Sequence, residues 1–427
     1  MAGGGIAATR ENLYYLGWGK ESTWNTPIAP TNYWRWLDGT DANPERKVNK
    51  EREGDTGPFI NLVYVSEQHW VVKVVEYVRP ITVGCVLQAL LGTGSDAYTA
   101  PTKSTTLAAS IVAGATSFQS TADLGNTGTL ALNFTPGYAS AAYEVQTANL
   151  TTRSGAGPYT YSLAGSGKFT NAHANGDALT SAATHVFTRQ QTTYDPYSIE
   201  AAFSQSGFGK AFRIQDCVCV ALKITMETGK LVRLEHDWYG SLATIQAALQ
   251  TPSFEGSSVI GQPGSPLHYF MAGSSWSVDG STSGAAAVIK KLEISLKNST
   301  TAEDFQTEGL SPTYFIPGNF DIDATMDVIF TTYQQYLETY FGSPTATTGA
   351  TDNYIQGYGQ ASVTFTGDAV NSLALSLPNV AYTAAKLNPP KLDGKPLMQA
   401  VAFSAQKTAA NPTPFTATLT NSQASVY

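Results

Sequence analysis

Carboxylates spaced along one segment are the first groups in this sequence that could act together. Asp321, Asp323 and Asp327 share one face of FDIDATMDVI, whose intervening positions are apolar, because successive side chains of a strand point to opposite sides. Paired carboxylates run glycoside hydrolysis, but such pairs stand across a cleft, roughly 5 to 9.5 Å apart, on separate elements. Three carboxylates along one strand instead keep a surface wet and negative. Glu235, His236 and Asp237 adjoin in sequence, yet strand neighbours face opposite ways and cannot converge on one proton. They read as a solvated strand face.

His69, His173, His185, His236 and His268 show neither the HxxxH nor the HxH spacing of a metal site. Cys85, Cys217 and Cys219 are an odd number without metal spacing, which points to buried thiols rather than a disulfide framework. SQSGFGK, residues 204–210, sets glycines near a lysine without the spacing of a phosphate-binding loop, and reads as a turn. The Asn-x-Thr/Ser triplets at Asn133, Asn149 and Asn298 are expected by chance in a chain so rich in Thr and Ser. The sequence therefore assigns no catalytic residue, metal or cofactor, and the function has to lie in what the elements build.

Composition narrows the choice. Charged residues are 14% of the 427, well below the roughly 25% of an average soluble domain, as in an all-β assembly protein. A net charge of -8 excludes a surface designed to hold nucleic acid, which needs Lys and Arg in excess. A partner that slides past unbound stays allowed. MAGGGIAATR lacks a long apolar run after a basic start, and no segment approaches the ~20 apolar residues of a membrane span. The expectation is a chain made in a cytoplasm, with no membrane span.

Internal duplication organises the rest. WVVKVVEYVRPITVGCVLQALLG (70–92) aligns without a gap with FDIDATMDVIFTTYQQYLETYFG (320–342). Trp70, Val72, Val74 and Glu76 fall opposite Phe320, Ile322, Ala324 and Met326 in strand alternation. Both copies then turn to helical spacing, Val83, Leu87, Leu90 and Leu91 matching Tyr333, Leu337, Tyr340 and Phe341, and both helices end at a glycine, Gly92 or Gly342. Pro80 suits a first helical turn, and Thr331 or Thr332 could cap the second helix. Upstream, EGDTGP (53–58) answers EGLSP (308–312).

After the first helix, VALKITMETGKLVRLEHDWYG predicts a hairpin turning at Thr228-Gly229-Lys230, with Leu222, Ile224 and Met226 on one face. LMQAVAFSAQ and PFTATLTNS predict its counterpart around a longer loop. The reading divides the chain into a first fold over 31–94 and 191–250, an inserted β domain over 95–190, a linker over 251–266 and a second fold over 267–427. The insert carries four acidic residues (Asp96, Asp123, Glu144, Asp177) and four basic ones (Lys103, Arg153, Lys168, Arg189), so the net charge lies elsewhere. Residues 1–30 read as an interaction arm. Trp18 and Trp24 are large apolar rings, while Pro27 and Pro30 fix extended or turn backbone.

GWGKESTWNTPIAPTNYWRWL, which begins in that arm and runs into the first fold, resembles the N-terminal segment of major tail tube proteins of long, non-contractile-tailed bacteriophages. DCVCVALKITMETGKLVRLEHDWYG resembles that family's first-copy hairpin, and SLALSLPNVAYTAAKL with QAVAFSAQ and FTATLTNS resembles its C-terminal end. GATSFQSTADLG through FTNAHANGDALT is similar to small β modules within such proteins.

The resemblance implies a mainly β chain of two tandem tail-tube-like β-sandwich folds, each with a flanking α-helix, plus an inserted small β module. It implies rings with sixfold geometry, closed by three duplicated chains and stacked into the tail tube of a virion assembled in the host cytoplasm. Expected partners are further copies of itself, a tape measure protein inside the tube, tail terminator and distal tail proteins at its ends, and double-stranded DNA in transit. The family has no catalytic residue, so none is carried over. Within this reading Trp18, Trp24, Pro27 and Pro30 are expected at a subunit interface. Asp321, Asp323 and Asp327, with Glu235, Lys73 and Arg233 on matching faces, are expected to line the lumen, the two cations either paired with carboxylates or turned into the wall. An acidic wall keeps phosphates off it over about 8 Å at physiological salt. The rival readings are a surface or secreted carbohydrate-binding β protein and a β-rich hydrolase using the aspartates.

Overall fold

The computed structural model describes residues 12–51, 60, 62–135, 142–190, 193–205, 208–255, 275–278, 281–282, 289–300, 309–329, 334–341, 358–368, 370–387 and 397–427. The chain is mainly β. Its first part runs β1 (Asn12–Lys20), β2 (Asn32–Trp34), β3 (Asp41–Glu51) and β4 (Leu62–Tyr77) into α1 (Thr82–Leu91). β5 (Asp96–Thr99) follows, then β6 (Ser104–Thr106), β7 (Ser117–Ser120), β8 (Thr129–Phe134), β9 (Glu144–Ser154), β10 (Tyr159–Leu163), β11 (Ala178–Thr180) and β12 (Ala183–Thr188). β13 (Tyr197–Gln205), β14 (Phe208–Glu227), β15 (Arg233–Gly240) and β16 (Ala243–Gln246) complete that half. The second comprises β17 (Ser275–Val278), β18 (Ser281–Thr282), β19 (Ile289–Asn298), β20 (Phe320–Ile329), α2 (Gln334–Phe341), β21 (Tyr358–Thr366), β22 (Ser372–Leu387), β23 (Met398–Ala405) and β24 (Thr416–Asn421).

One set of antiparallel pairings occurs twice. β1 pairs with β2 and β13, β13 with β14, β14 with β15 and β16, β15 with β4, and β4 with β3. β17 likewise pairs with β18 and β21, β21 with β22, β22 with β23 and β24, β23 with β20, and β20 with β19. The long strands carry two register shifts at matching places. β14 is irregular at Ile214/Cys217, against β13, and at Cys219/Ala221, against β15. β22 is irregular at Leu377/Val380, against β21, and at Tyr382/Ala384, against β23. A bulge bends and twists its strand, so each long strand leaves one group of partners and joins another at these points.

The bulges correct the alignment read from the sequence. Trp238 lies opposite Cys219 and Val72, while Phe403 lies opposite Tyr382 and Ala324. Val72 therefore answers Ala324 rather than Ile322, two residues along. A shift of two leaves every side chain on its face, which is why alternation alone could not detect it. The expected second hairpin is also corrected: β23 and β24 do not pair with each other but lie along different parts of β22. The 53–58 turn, the Thr331, Thr332 and Gly342 caps and residues 256–266 of the linker lie outside the described residues.

Residues 104–180 contain a separate six-stranded sheet, β6-β11-β8-β9-β10-β7. It encloses its own core, in which Phe118, Phe134, Tyr161, Phe169 and Leu179 are buried. The outer parts of the expected insert belong elsewhere. β5 pairs with β12, and β12 with β24 of the second half. The segments at either end of the expected insert thus extend the main sheet.

α1 is buried along its whole length, as its continuous apolar run requires. Gly92 ends it at φ +98°, its N–H donating to the Gln88 carbonyl. Pro80 precedes the helix rather than opening its first turn. The other helix end is closed from far away. Glu255 accepts hydrogen bonds from the N–H groups of Ile81 and Thr82 at 2.8 and 2.7 Å, satisfying donors that every helix leaves open.

Candidate assembly surface

Eight strands form one continuous series, β3-β4-β15-β14-β19-β20-β23-β22, in which the two halves meet along β14 and β19. Alternation sorts the side chains. Val72, Val74, Leu234, Leu222, Ile224, Leu292, Ile294, Ile322, Ala324, Val401 and Phe403 point into the common core. The opposite face is polar and carries the residues expected to line a lumen.

Lys73, Arg233, Asp321 and Asp323 are exposed, and Glu235 and Asp327 are half-buried. Glu235 takes both cations, Lys73 at 3.7 Å and Arg233 at 3.5 Å, the first of the two arrangements that the sequence reading allowed them. Asp323 accepts from the Ser404 hydroxyl. Asp321 and Asp327 stand opposite Lys297 and Lys291 on β19. The structure thus puts all six on one face but not in one cluster: Lys73, Arg233 and Glu235 lie in the first half, and the aspartates in the second.

The expected arm is corrected. Residues 12–20 are a strand of the chain's own sheet, with Trp18 opposite Ile199. Trp18 is buried, its ring 5.9 Å from that of Trp34 and 6.2 Å from that of Tyr197. The physical reason is in the glycines. A Cβ on Gly17 would meet Pro30 at 2.7 Å, and one on Gly19 would meet Ile28 at 2.8 Å, so bare backbone makes room for the 27–30 segment to fold back on β1. Pro30 is buried there and Pro27 half-buried. Trp24 differs. It is half-buried beside Tyr194, Val218, Val220 and Phe315, in a recess whose rim includes the exposed Tyr314 and Ile316.

His236 is also corrected. Glu235 and Asp237 do lie on the polar face, but His236 is buried in the core, where Trp238 Nε1 donates to its Nδ1 at 2.6 Å. Its Nε2 is 3.4 Å from Glu76 of β4. Burial pulls His236 down to about 3 and pushes Glu76 up to about 8, the latter opposed by the Arg79 charge. Both are neutral at pH 7. The other described histidines sit by single carboxylates or pairs: His69 near Glu45 and Glu67, His173 near Glu144 and Asp177, His185 near Asp96. His268 lies outside the described residues. Cys85, Cys217 and Cys219 are buried free thiols, their acidity suppressed by burial. Among the described residues no helix is long and apolar enough to cross a membrane.

The sequence reading missed the seam between halves. Lys223 of β14 reaches Glu293 of β19 at 3.3 Å, and Lys291 reaches the same carboxylate at 2.9 Å. Hydrogen bonding from Lys291 first, then the Lys223 charge, holds Glu293 below the usual carboxylate range. The outer ends of the series stay open: among the described strands β3 pairs only with β4, and residues 382–387 of β22 only with β23.

No protein-family model and no curated protein matches this chain.

Proposed function

We propose that this chain is a structural virion protein whose copies close into rings and stack into the tail tube of a long-tailed bacteriophage, the conduit for DNA delivery. In this reading the repeated pairings are two tandem β-sandwich folds, each with a flanking helix, and the six-stranded sheet is a module inserted in the first. Three copies make a pseudo-hexameric ring. A tape measure protein occupies the lumen during assembly, and terminator and distal tail proteins meet the tube's ends.

The observation that carries the reading is the eight-strand series with two open edges. An unpaired edge is a template for another strand, and two different edges at opposite ends give head-to-tail association, which closes into a ring when the rotation permits. Three copies would bring roughly 24 strands around the ring, and β-barrels of that order enclose an aqueous channel rather than a packed core. The polar face then turns inward and the core with its helices lies outside. A second exposed feature supports stacking. The hairpin formed by the end of β3 and the start of β4 pairs with no other described strand and exposes Val48, Leu62, Val63 and Tyr64, apolar surface that a neighbouring ring would cover.

The carbohydrate-binding alternative finds no exposed tryptophan, since every tryptophan with a described side chain is buried or half-buried, and its exposed aromatics are tyrosines such as Tyr14, Tyr64 and Tyr314. Electron microscopy of the purified protein is the test. Three-chain rings or hollow filaments are expected. A protein that stays monomeric at high concentration and binds glycans would overturn the proposal.

A further inference from the structure

The seam inside the chain has a counterpart at its two ends. Within the chain, Leu222, Lys223 and Ile224 of β14 lie opposite Leu296, Ser295 and Ile294 of β19, and Lys223 reaches diagonally to Glu293. The matching bulges put Ala384, Ala385, Lys386 and Leu387 of β22 in the places of Ala221, Leu222, Lys223 and Ile224. β3 takes the place of β19. Asp41 stands opposite Lys73 as Glu293 stands opposite Thr325, and Lys73 and Thr325 are opposite Asp237 and Ala402 in the two halves. Ala42, Asn43, Pro44 and Glu45 therefore answer Ile294, Ser295, Leu296 and Lys297. The ion pair survives this transposition: Lys386 holds the position of Lys223, and Asp41 that of Glu293.

We infer that β22 of one copy pairs antiparallel with β3 of the next in the register of the internal seam, with Ala385 opposite Pro44, Lys386 opposite Asn43 and Lys386 ion-paired diagonally with Asp41. This rests on the ring-forming reading above and specifies its contact. Burial agrees with a missing neighbour. Leu296 and Ile294 are buried, whereas Pro44 is exposed and Ala42 half-buried at the equivalent edge positions. Lys386 is exposed and has no ion-pair partner among the described residues, and Asp41 is exposed with only its own neighbours Ala42 and Asn43 as donors.

The same features choose a second copy over an arbitrary strand. Charged residues and proline on an edge discourage unspecific pairing. Pro44 removes one donor from the ladder, and the Lys386–Asp41 diagonal favours one register. A seam between chains that copies the seam within them makes all six junctions of a three-chain ring alike, so the rotation that relates the halves, applied twice, is the rotation that relates the chains.

Two measurements on the full chain test this. Cysteines at Asn43 and Lys386, oxidised after ring assembly, are expected to give covalent three-chain species on non-reducing gels, since directly opposed strand residues are close enough for a disulfide. Glu45→Cys with Lys386→Cys, two residues out of register, is expected to give at least tenfold less. Separately, Lys386→Glu or Asp41→Lys is expected to raise the concentration for half-assembly about tenfold, through like-charge contact, and the double exchange to restore it. Rings of the cysteine variants that show no preference for the 43–386 over the 45–386 cross-link, or charge reversals without effect or without mutual rescue, would overturn the register while leaving ring formation standing. A wild-type chain that forms no rings would instead remove the reading on which the register rests, and the register with it.

Discussion

Glu255 caps α1 from 173 residues away, its Oε2 accepting from both the backbone N–H and the hydroxyl of Thr82 at 2.7 Å. Burial pushes this carboxyl up to about 7 against the lowering effect of the Thr82 bonds. Because the donors are buried, removing the acceptor leaves them without water or protein partners. Glu255→Ala is expected to destabilise the fold by about 3 kcal/mol and Glu255→Gln by about 1 kcal/mol, measured as denaturant midpoints of the unassembled chain.

The buried acid-base pair sets a pH response. Glu76 is raised to about 8 and Glu255 to about 7, from 4.5, so the folded chain keeps protons that the unfolded chain has released. Their contribution is fully present below about pH 4.5 and declines as pH rises through 7 and 8. His236, lowered to about 3 from 6.5, acts oppositely, adding stability as pH rises from 3 to 6.5. Between 4.5 and 6.5 it offsets one carboxyl. Above 6.5 nothing in this group offsets the loss, and stability is expected to fall toward pH 8. Glu76→Gln should reduce that slope by about one proton, or ~1.4 kcal/mol per pH unit, in melts at several pH values.

Excision of the six-stranded sheet should be tolerated, because its core is separate. The cut belongs between β5 and β6 and between β11 and β12, since β5 pairs with β12 and β12 with β24. Joining 101 to 182 through a short Gly-Ser bridge is expected to leave a folded, ring-forming protein. The wider deletion of 95–190 is expected to unfold the second half's edge. Circular dichroism with electron microscopy separates the two.

The two tryptophans of the N-terminal segment should part company. Trp18→Ala removes a ring buried against Trp34 and Tyr197 and is expected to cost about 3 to 5 kcal/mol of stability. Trp24→Ala, in a half-buried recess, is expected to cost about 1 to 2 kcal/mol. Thermal melts check both.

On the polar sheet face, Asp321→Asn, Asp323→Asn and Asp327→Asn together should leave assembly intact, as even a paired charge at a surface contributes at most about 1 kcal/mol. Loss of negative charge is expected to increase retention of short duplex DNA by assembled tubes at low salt, an effect that fades above 0.15 M. Filter retention across a salt series measures it.

Alternation and turn chemistry were readable along the chain. The 320–329 strand, the 70–77 strand, the α1 helix ending at Gly92 and the hairpin turning at Gly229, whose φ is +80°, follow from local residue spacing. The Asp321, Asp323 and Asp327 face was equally legible, because strand geometry fixes which side chains share a side. The internal repeat was visible as pattern, but its register was two residues out, since a period of two gives the same faces at either alignment.

What the sequence determined by itself is what short range controls: strand or helix, inward or outward, and where a chain turns. Beyond the hairpin at Gly229, tertiary structure alone decided which strands meet. That β14 joins β19, that β12 extends the second half's edge, and that β23 and β24 lie along different parts of β22 depend on bulges and on burial across hundreds of residues. Lys223 and Glu293 gave no signal in the linear chain for this reason. The same holds for Trp18 and His236, whose burial depends on neighbours brought from distant strands. An isolated hydrophobic or titratable residue carries no record of its partner; only the closed core, where apolar area is removed from water and polar groups must find each other, assigns one.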